Sequence, residues 1–385
     1  MRVYHTLRYL LRSHEVTLYT LASKPNLNGQ GRHPDLPGLR QKVFAMGKAA
    51  YARNVAAAFF SGLPLQTRLY ECPDLVQALD ADIRSGAFDV LFIHLIRMAE
   101  YARPYHQLPR VLDMADSISL HYARMRRVFW SPRWVGARID QDRVRRYEAE
   151  VPNRFDSVLI HTEEDLDWVR KQSGAMNLVQ SLMGVDTNQF AFHEGPYNSR
   201  RIVYCAKLDT LPNTDAAVYF ASQIFPLVRR QVPDAQFSAV GFNPPRSLRA
   251  LAKIPGVEVR ANVPDVRPEI SNAAVSVAPL RFGAGIQNKI LQSLAMGVPV
   301  VATPLAARPF GEGASSPLLV ADTPEEFADR VARILLDSEY RTELARAGRR
   351  LIEARFQWDQ VFASLGGILD RIQEERFRTR PELCL

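Results

Sequence analysis

Residues 273–304 read AAVSVAPLRFGAGIQNKILQSLAMGVPVVATP, and the fold of the whole chain turns on this stretch. Val275, Val277 and Ala278 suit a short buried strand, which Pro279 ends. Gly283 and Gly285 bracket a turn. From Ile286 onward the apolar residues Ile290, Leu291, Leu294 and Ala295 recur at helical spacing, so a helix is expected directly after the glycines, with Met296-Gly297 stopping it. Residues 298–303 form a second apolar run of strand type. Strand, glycine turn, helix and strand make a parallel α/β unit. Such a unit brings backbone N–H groups and the positive end of a helix dipole to the carboxyl edge of a sheet, where a phosphate can sit. Lys289, one turn into the expected helix, reaches the same place. The plainer alternative is an ordinary α/β turn with a solvated lysine, and a glycine pair alone does not choose between the two.

Working outward, 385 residues exceed one ordinary core and fit two α/β domains. Apolar residues at 47% and charged residues at 23% match a soluble globular chain. No apolar run approaches the length of a membrane span, and the N-terminus lacks a signal-peptide layout, so a cytoplasmic protein is expected. Cys72, Cys205 and Cys384 are scattered without metal-ligand spacing and read as free thiols. The net charge of +8 is carried mostly by arginine, whose planar fork suits phosphates. A nucleic acid partner is disfavoured because no recognisable binding motif and no basic tail occur. Nucleotide diphosphates and anionic lipid head groups remain as targets.

Toward the N-terminus, residues 3–13 read as an amphipathic helix and 15–19 as a strand. Further strands are expected over 42–46, 87–94, 110–113, 155–161 and 177–182, with a helix over 49–60. Thr162 with Glu163, Glu164 and Asp165 caps the next helix. Residues 120–147 mix arginines with Phe129, Trp130 and Trp134. This expected helix pair either packs its aromatics inward or rests on an anionic membrane face. Loop residues 195–199 precede a second α/β series, with strands over 201–205, 236–240 and 257–260 and helices over 213–230, 246–253, 324–336, 339–354 and 358–372.

Gly285-x-x-x-Lys289, then Gln292, then AMGVPVVAT resembles the donor-site signature of GT-B glycosyltransferases of the group 1 (family 4) kind. GAGIQNK with LAMGVPVVAT is most similar to sugar transferases associated with exosortase and exopolysaccharide loci, and the resemblance runs from residue 1 to about 365. GVDTNQF at 184–190 resembles that family's linker. The resemblance implies an α/β GT-B fold: two Rossmann-like domains facing a central cleft, at 1–190 and 199–356, a helix at 357–373 crossing back to the first domain, and a tail at 374–385. It implies transfer of a hexose from a UDP- or GDP-sugar, with retention, to a lipid-linked or polysaccharide acceptor at the cytoplasmic membrane face. No metal and no cofactor are implied beyond the nucleotide diphosphate sugar.

On the same resemblance, Lys207 in AKLD and Lys289 neutralise the diphosphate leaving group, and His94 at the end of its strand faces the donor sugar. Donor binding falls to Gly283, Ala284, Gly285, Ile286 and Gln292. Asp113 and Asp116 are acceptor-side candidates able to orient a hydroxyl; the alternative is that they cap a helix. For either lysine the alternative is a surface ion pair, and for His94 a structural role. The chain also departs from the family pattern. Pro212 stands at a second basic position, Ala284 and Gln292 at two glutamates, and Leu182-Met183 at a Pro-Asn pair, while the first strand and glycine loop expected before residue 2 are missing. These departures suit a second reading, a GT-B-fold scaffold or truncated copy without catalysis. An epimerase on this fold lacks a convincing acidic pair.

Overall fold

The computed structural model describes residues 1–22, 35–128, 134–283, 285–311 and 317–379, with side chains at all of these except 125–128, 134–139 and 376–379. Its contacts divide into two units, Met1–Leu182 with Phe362–Leu385, and Met183–Val361.

The first unit opens with helix α1 (Arg2–Leu10), followed by strands β1 (Thr17–Ala22) and β2 (Arg40–Ala45), which pair in parallel as a two-stranded sheet. Helix α2 (Lys48–Phe60) follows. A parallel four-stranded sheet then runs in the order β3 (Leu91–His94), β4 (Arg110–Ala115), β5 (Ser157–Ile160) and β6 (Leu178–Gln180). Its two central strands, β4 and β5, are buried almost end to end, Val111, Leu112, Val158, Leu159 and Ile160 completely, because helices cover a parallel sheet on both faces. The expected strand over 87–94 begins only at Leu91, and the helix Pro73–Arg84 was not anticipated from the sequence. The last helix, Ala363–Thr379, packs into this unit: the Phe362 ring lies 5.3 Å from that of Tyr9, and Gly366 leaves room for the Tyr9 hydroxyl.

The second unit holds a six-stranded sheet. Its strands are β7 (Asn198–Lys207), β8 (Gln236–Phe242), β9 (Val257–Ala261), β10 (Ala273–Ala278), β11 (Val300–Ala302) and β12 (Leu318–Val320), all paired in parallel. Their spatial order is β12-β11-β10-β7-β8-β9. The chain winds outward from β7 in one direction, then returns to β10 and winds outward in the other. This is the doubly wound Rossmann arrangement, and its connections diverge between β7 and β10. The expected helix over 213–230 is interrupted: helices Leu211–Tyr219 and Phe225–Gln231 flank a π-helical turn at Phe220–Ile224.

The stretch that decided the reading forms β10, the glycine turn, the helix Asn288–Ala295 and β11. The helix begins two residues later than its apolar spacing predicts. Gly285 (φ +71°) and the extended Gln287 keep the chain out of helical geometry, so Lys289 stands in the first turn. Gly297 ends the helix in a left-handed conformation, and a Cβ there would collide with the Phe192 ring. Gly297→Ala is therefore expected to lose about 2 kcal/mol or more of stability, read as a lowered denaturant midpoint with an unchanged slope.

Candidate active site

The residues expected to meet the nucleotide gather at the carboxyl edge of the six-stranded sheet. Lys207 is the last residue of β7 and projects into solvent at 65% exposure, with its nearest acid, Asp209, 3.9 Å away. The turn that follows β10 carries Gly283 (φ +145°), Gly285 and the half-buried Ile286; Ala284 lies outside the described residues. Thr303, just after β11, fixes this turn by donating its hydroxyl to the Leu280 carbonyl at 2.6 Å. The helix Asn288–Ala295 starts without a side-chain cap on its first amides, and Gln292 is half-buried on the next turn.

Lys289 is the central group. It is 7% exposed, and its Nζ donates to Asn213 Oδ1 at 3.0 Å and Gln287 Oε1 at 3.1 Å while lying 5.2 Å from the centre of the Tyr204 ring. Among the described residues no carboxylate pairs with it. Burial pushes its pKa down to about 7. A protonated ammonium has three N–H donors, so one remains for a ligand.

Asn213 is the residue that sequence reasoning missed. It accepts from Lys289 and from the Tyr204 hydroxyl (3.1 Å), and its Nδ2 donates to the Lys207 carbonyl at 2.9 Å. One amide therefore links the loop bearing Lys207 to the ammonium of Lys289. An asparagine at the start of a helix reads locally as a cap, which concealed this.

The first unit presents a second arrangement at the carboxyl edge of its sheet. His94 ends β3, and its Nδ1 lies 3.0 Å from Asp113 Oδ2 in β4. Asp113 is fully buried and also accepts from Arg2 Nε at 2.8 Å. Burial pushes its carboxyl up, but the His94 hydrogen bond and the Arg2 charge together hold it well below the ordinary carboxylate range. An ionised Asp113 makes Nδ1 of His94 the donor and leaves Nε2 outside that hydrogen bond. Asp113 is thus placed behind His94 and out of reach of a substrate hydroxyl. Asp116 differs: its side chain is partly exposed, and its Oδ1 lies 3.0 Å from His161 Nδ1. Leu95 (φ +72°) and Ala115 (φ +70°), at the ends of β3 and β4, hold left-handed conformations that non-glycine residues rarely adopt.

Of the arginine- and aromatic-rich residues 120–147, Phe129, Trp130 and Arg133 lie outside the described residues. Arg124 pairs with Glu164. A cavity of about 690 Å³ lined by Ser119, Arg145, Trp168 and Gln172, among others, includes none of the residues expected at the site. Cys72 and Cys205 are buried free thiols, and Cys384 lies outside the described residues. Among the described residues no cluster of three or more His, Cys, Asp or Glu is arranged to hold a metal, and no helix is long and apolar enough to cross a membrane.

Residues 199–337 match the family model of group 1 glycosyl transferases. That span runs from the start of β7 past the Lys289 helix. Solved structures resemble the chain over almost its full length. A sucrose-phosphate synthase from Thermosynechococcus elongatus superposes with a TM-score of 0.73 at 15% identity, covering 97% of this chain and 92% of its own. Anabaena HepE, solved with UDP and glucose, gives 0.63 at 11% identity over 93% of this chain and 100% of its own. A trehalose-6-phosphate synthase, studied for glycosyl transfer with retention, gives 0.63 at 10% identity over 95% and 96%. None of the curated proteins matches this sequence. At these identities the likeness establishes architecture. The chain has the GT-B fold.

Proposed function

We propose that the chain is a group 1 glycosyltransferase that moves a hexose from a UDP- or GDP-sugar, with retention, to a lipid-linked or polysaccharide acceptor. The observation that carries this reading is Lys289. A lysine buried with no carboxylate partner among the described residues, in the first turn of a helix beside the point where the β7 and β10 connections diverge, is poised for an anion.

In this reading Lys289, Lys207 and the leading amides of the Asn288–Ala295 helix take up the charge that grows on the departing diphosphate. Asn213 holds the two lysine-bearing segments in register. Gln292 meets the ribose, accepting from one hydroxyl and donating to the other. His94 serves the sugar through Nε2, with Asp113 and Arg2 as the positioning residues behind it. Asp116 is the acid left to orient an acceptor hydroxyl. The assignment to exosortase- or exopolysaccharide-linked synthesis rests on the similarity of GAGIQNK and LAMGVPVVAT.

Thermal unfolding with saturating UDP, GDP or ADP tests the reading. At about 100 times its dissociation constant a nucleotide stabilises by roughly 2.7 kcal/mol, or roughly 5–10 °C for a unit of this size. One nucleotide is expected to produce that shift and so to identify the base. Pro212 and Gln292, which stand where the family pattern has basic and acidic residues, favour the second reading of a scaffold without catalysis. That reading gives no shift with any nucleotide.

A further inference from the structure

Helix α2 is apolar over most of its length, yet it buries only two of its thirteen residues, Asn54 and Ala58. Ala52 and Ala56 are exposed, as are Tyr51 at 48%, Phe59 at 69% and Phe60 at 94%. A helix on the surface of a globular protein ordinarily turns such residues inward, and a contiguous apolar patch left outside marks an interaction site. The charges on this helix have one sign: Lys48 and Arg53 are exposed, and it contains no aspartate or glutamate.

Cations extend the patch from a neighbouring helix. Arg143, on the helix Trp134–Glu150, donates from its two terminal nitrogens to the carbonyls of Ala58 at 2.8 Å and Phe59 at 3.0 Å. It thereby closes the C-terminal end of α2 and fixes the two phenylalanines beside a helix on which Arg145 and Arg146 are exposed. The acids nearby are Asp140, whose Oδ1 accepts from the Leu65 amide at 2.6 Å, and Asp142, which is exposed.

We propose that α2 is a docking helix for an anionic lipid bilayer, lying along the surface with Phe59 and Phe60 at the acyl boundary and Lys48, Arg53 and Arg146 among the phosphates. Thirteen residues span roughly 20 Å, enough to lie in the interfacial plane. Aromatic residues flanked by cations fit that boundary, since the rings leave water while the charges stay with the head groups. A second copy of the chain fits less well, because a two-fold contact through α2 would bring together two faces that both carry positive charge and no acid. This inference does not depend on the proposed transfer. Where both hold, α2 brings the enzyme to a lipid-linked acceptor.

Co-sedimentation of the full chain with vesicles decides the matter. The chain is expected to bind vesicles of phosphatidylcholine containing about one third phosphatidylglycerol, to ignore phosphatidylcholine alone, and to be released as salt rises to about 0.5 M. The double variant Phe59→Ser/Phe60→Ser should bind the anionic vesicles at least about tenfold more weakly while keeping the parent's melting temperature. Absence of binding by the parent, or equal binding by the variant, overturns the proposal. So does sedimentation equilibrium showing a dimer for the parent and a monomer for the variant, which would mean that a second copy covers α2. Each readout is independent of any nucleotide, so failure here leaves the donor-site reading standing.

Discussion

Lys289→Met is expected to remove nearly all of the nucleotide-induced rise in melting temperature while leaving the unliganded protein folded. Methionine keeps most of the volume packed against Tyr204 and removes the ammonium. A charge-assisted hydrogen bond to a phosphate is worth about 1.5–3 kcal/mol, or roughly 10–100-fold in affinity. With nucleotide fixed at about 100 times the parent's dissociation constant, a 100-fold loss lowers the stabilisation from roughly 2.7 to roughly 0.4 kcal/mol. Unchanged affinity would remove Lys289 from the site.

The depressed pKa of Lys289 adds a pH signature. Between about 7 and 10.5 the unfolded chain holds this proton and the folded chain does not, so the group's contribution to folding stability rises with pH across that window. A bound diphosphate works in the opposite direction, because it favours the protonated ammonium. Nucleotide affinity should therefore fall above pH 7, by up to about tenfold per pH unit, until the pKa of the complex is reached. That range lies above the last ionisation of a phosphate near pH 6. Calorimetric titration at pH 8 in two buffers of different ionisation heat should show close to one proton taken up per nucleotide bound. Affinity that is flat from pH 7 to 9 would contradict the assignment.

The other large effect concerns Arg2. Its guanidinium donates to Asp113 Oδ2, to the Leu182 carbonyl at 2.8 Å and to Ser181 Oγ at 3.0 Å, and lies 5.7 Å from the centre of the Phe362 ring. One buried side chain thus joins α1, β4, the residues just beyond β6 and the returning C-terminal segment. Arg2→Ala leaves a buried carboxylate unpaired and is expected to cost about 3–5 kcal/mol, a fall in melting temperature of roughly 10 °C or more. Asp113→Asn separates stability from positioning. It also strands a charge, but in the double variant Arg2→Met/Asp113→Asn both charges are gone and much of the stability should return. The transfer rate should stay low in the double variant, because no carboxylate then fixes the His94 tautomer. Full recovery of rate along with stability would reduce Arg2 and Asp113 to a purely structural pair.

The two cases show where the sequence was legible. Strands such as β10 announced themselves, because a parallel strand covered on both faces is a short apolar run and Pro279 marks its end. The turn was visible through Gly283 and Gly285, and Lys289 through its place after them. What stayed hidden depends on contacts between distant residues. Arg2 finds Asp113 across 111 positions, and Lys289 finds Asn213 across 76. No local period encodes either pairing. Asp113 looked like a group facing substrate because it sits near a strand end, whereas its burial is set by α1 lying over it. The exposure of α2 was equally unreadable, since its composition is that of a helix a core would normally cover.

The chain leaves its first unit at Leu182 and re-enters it at Phe362. During synthesis the second unit, continuous from Met183 to Val361, emerges whole and can fold as soon as it clears the ribosome. The first unit cannot. Its α1, with Tyr9, waits for Phe362, Leu365 and Ile368, which are buried in the finished protein and are made about 350 residues later. At about 5–20 residues per second, that apolar surface stays uncovered on the order of ten seconds or more. The unit that begins to emerge first is therefore completed after the unit that follows it, and during that interval its uncovered face is the part most in need of a chaperone.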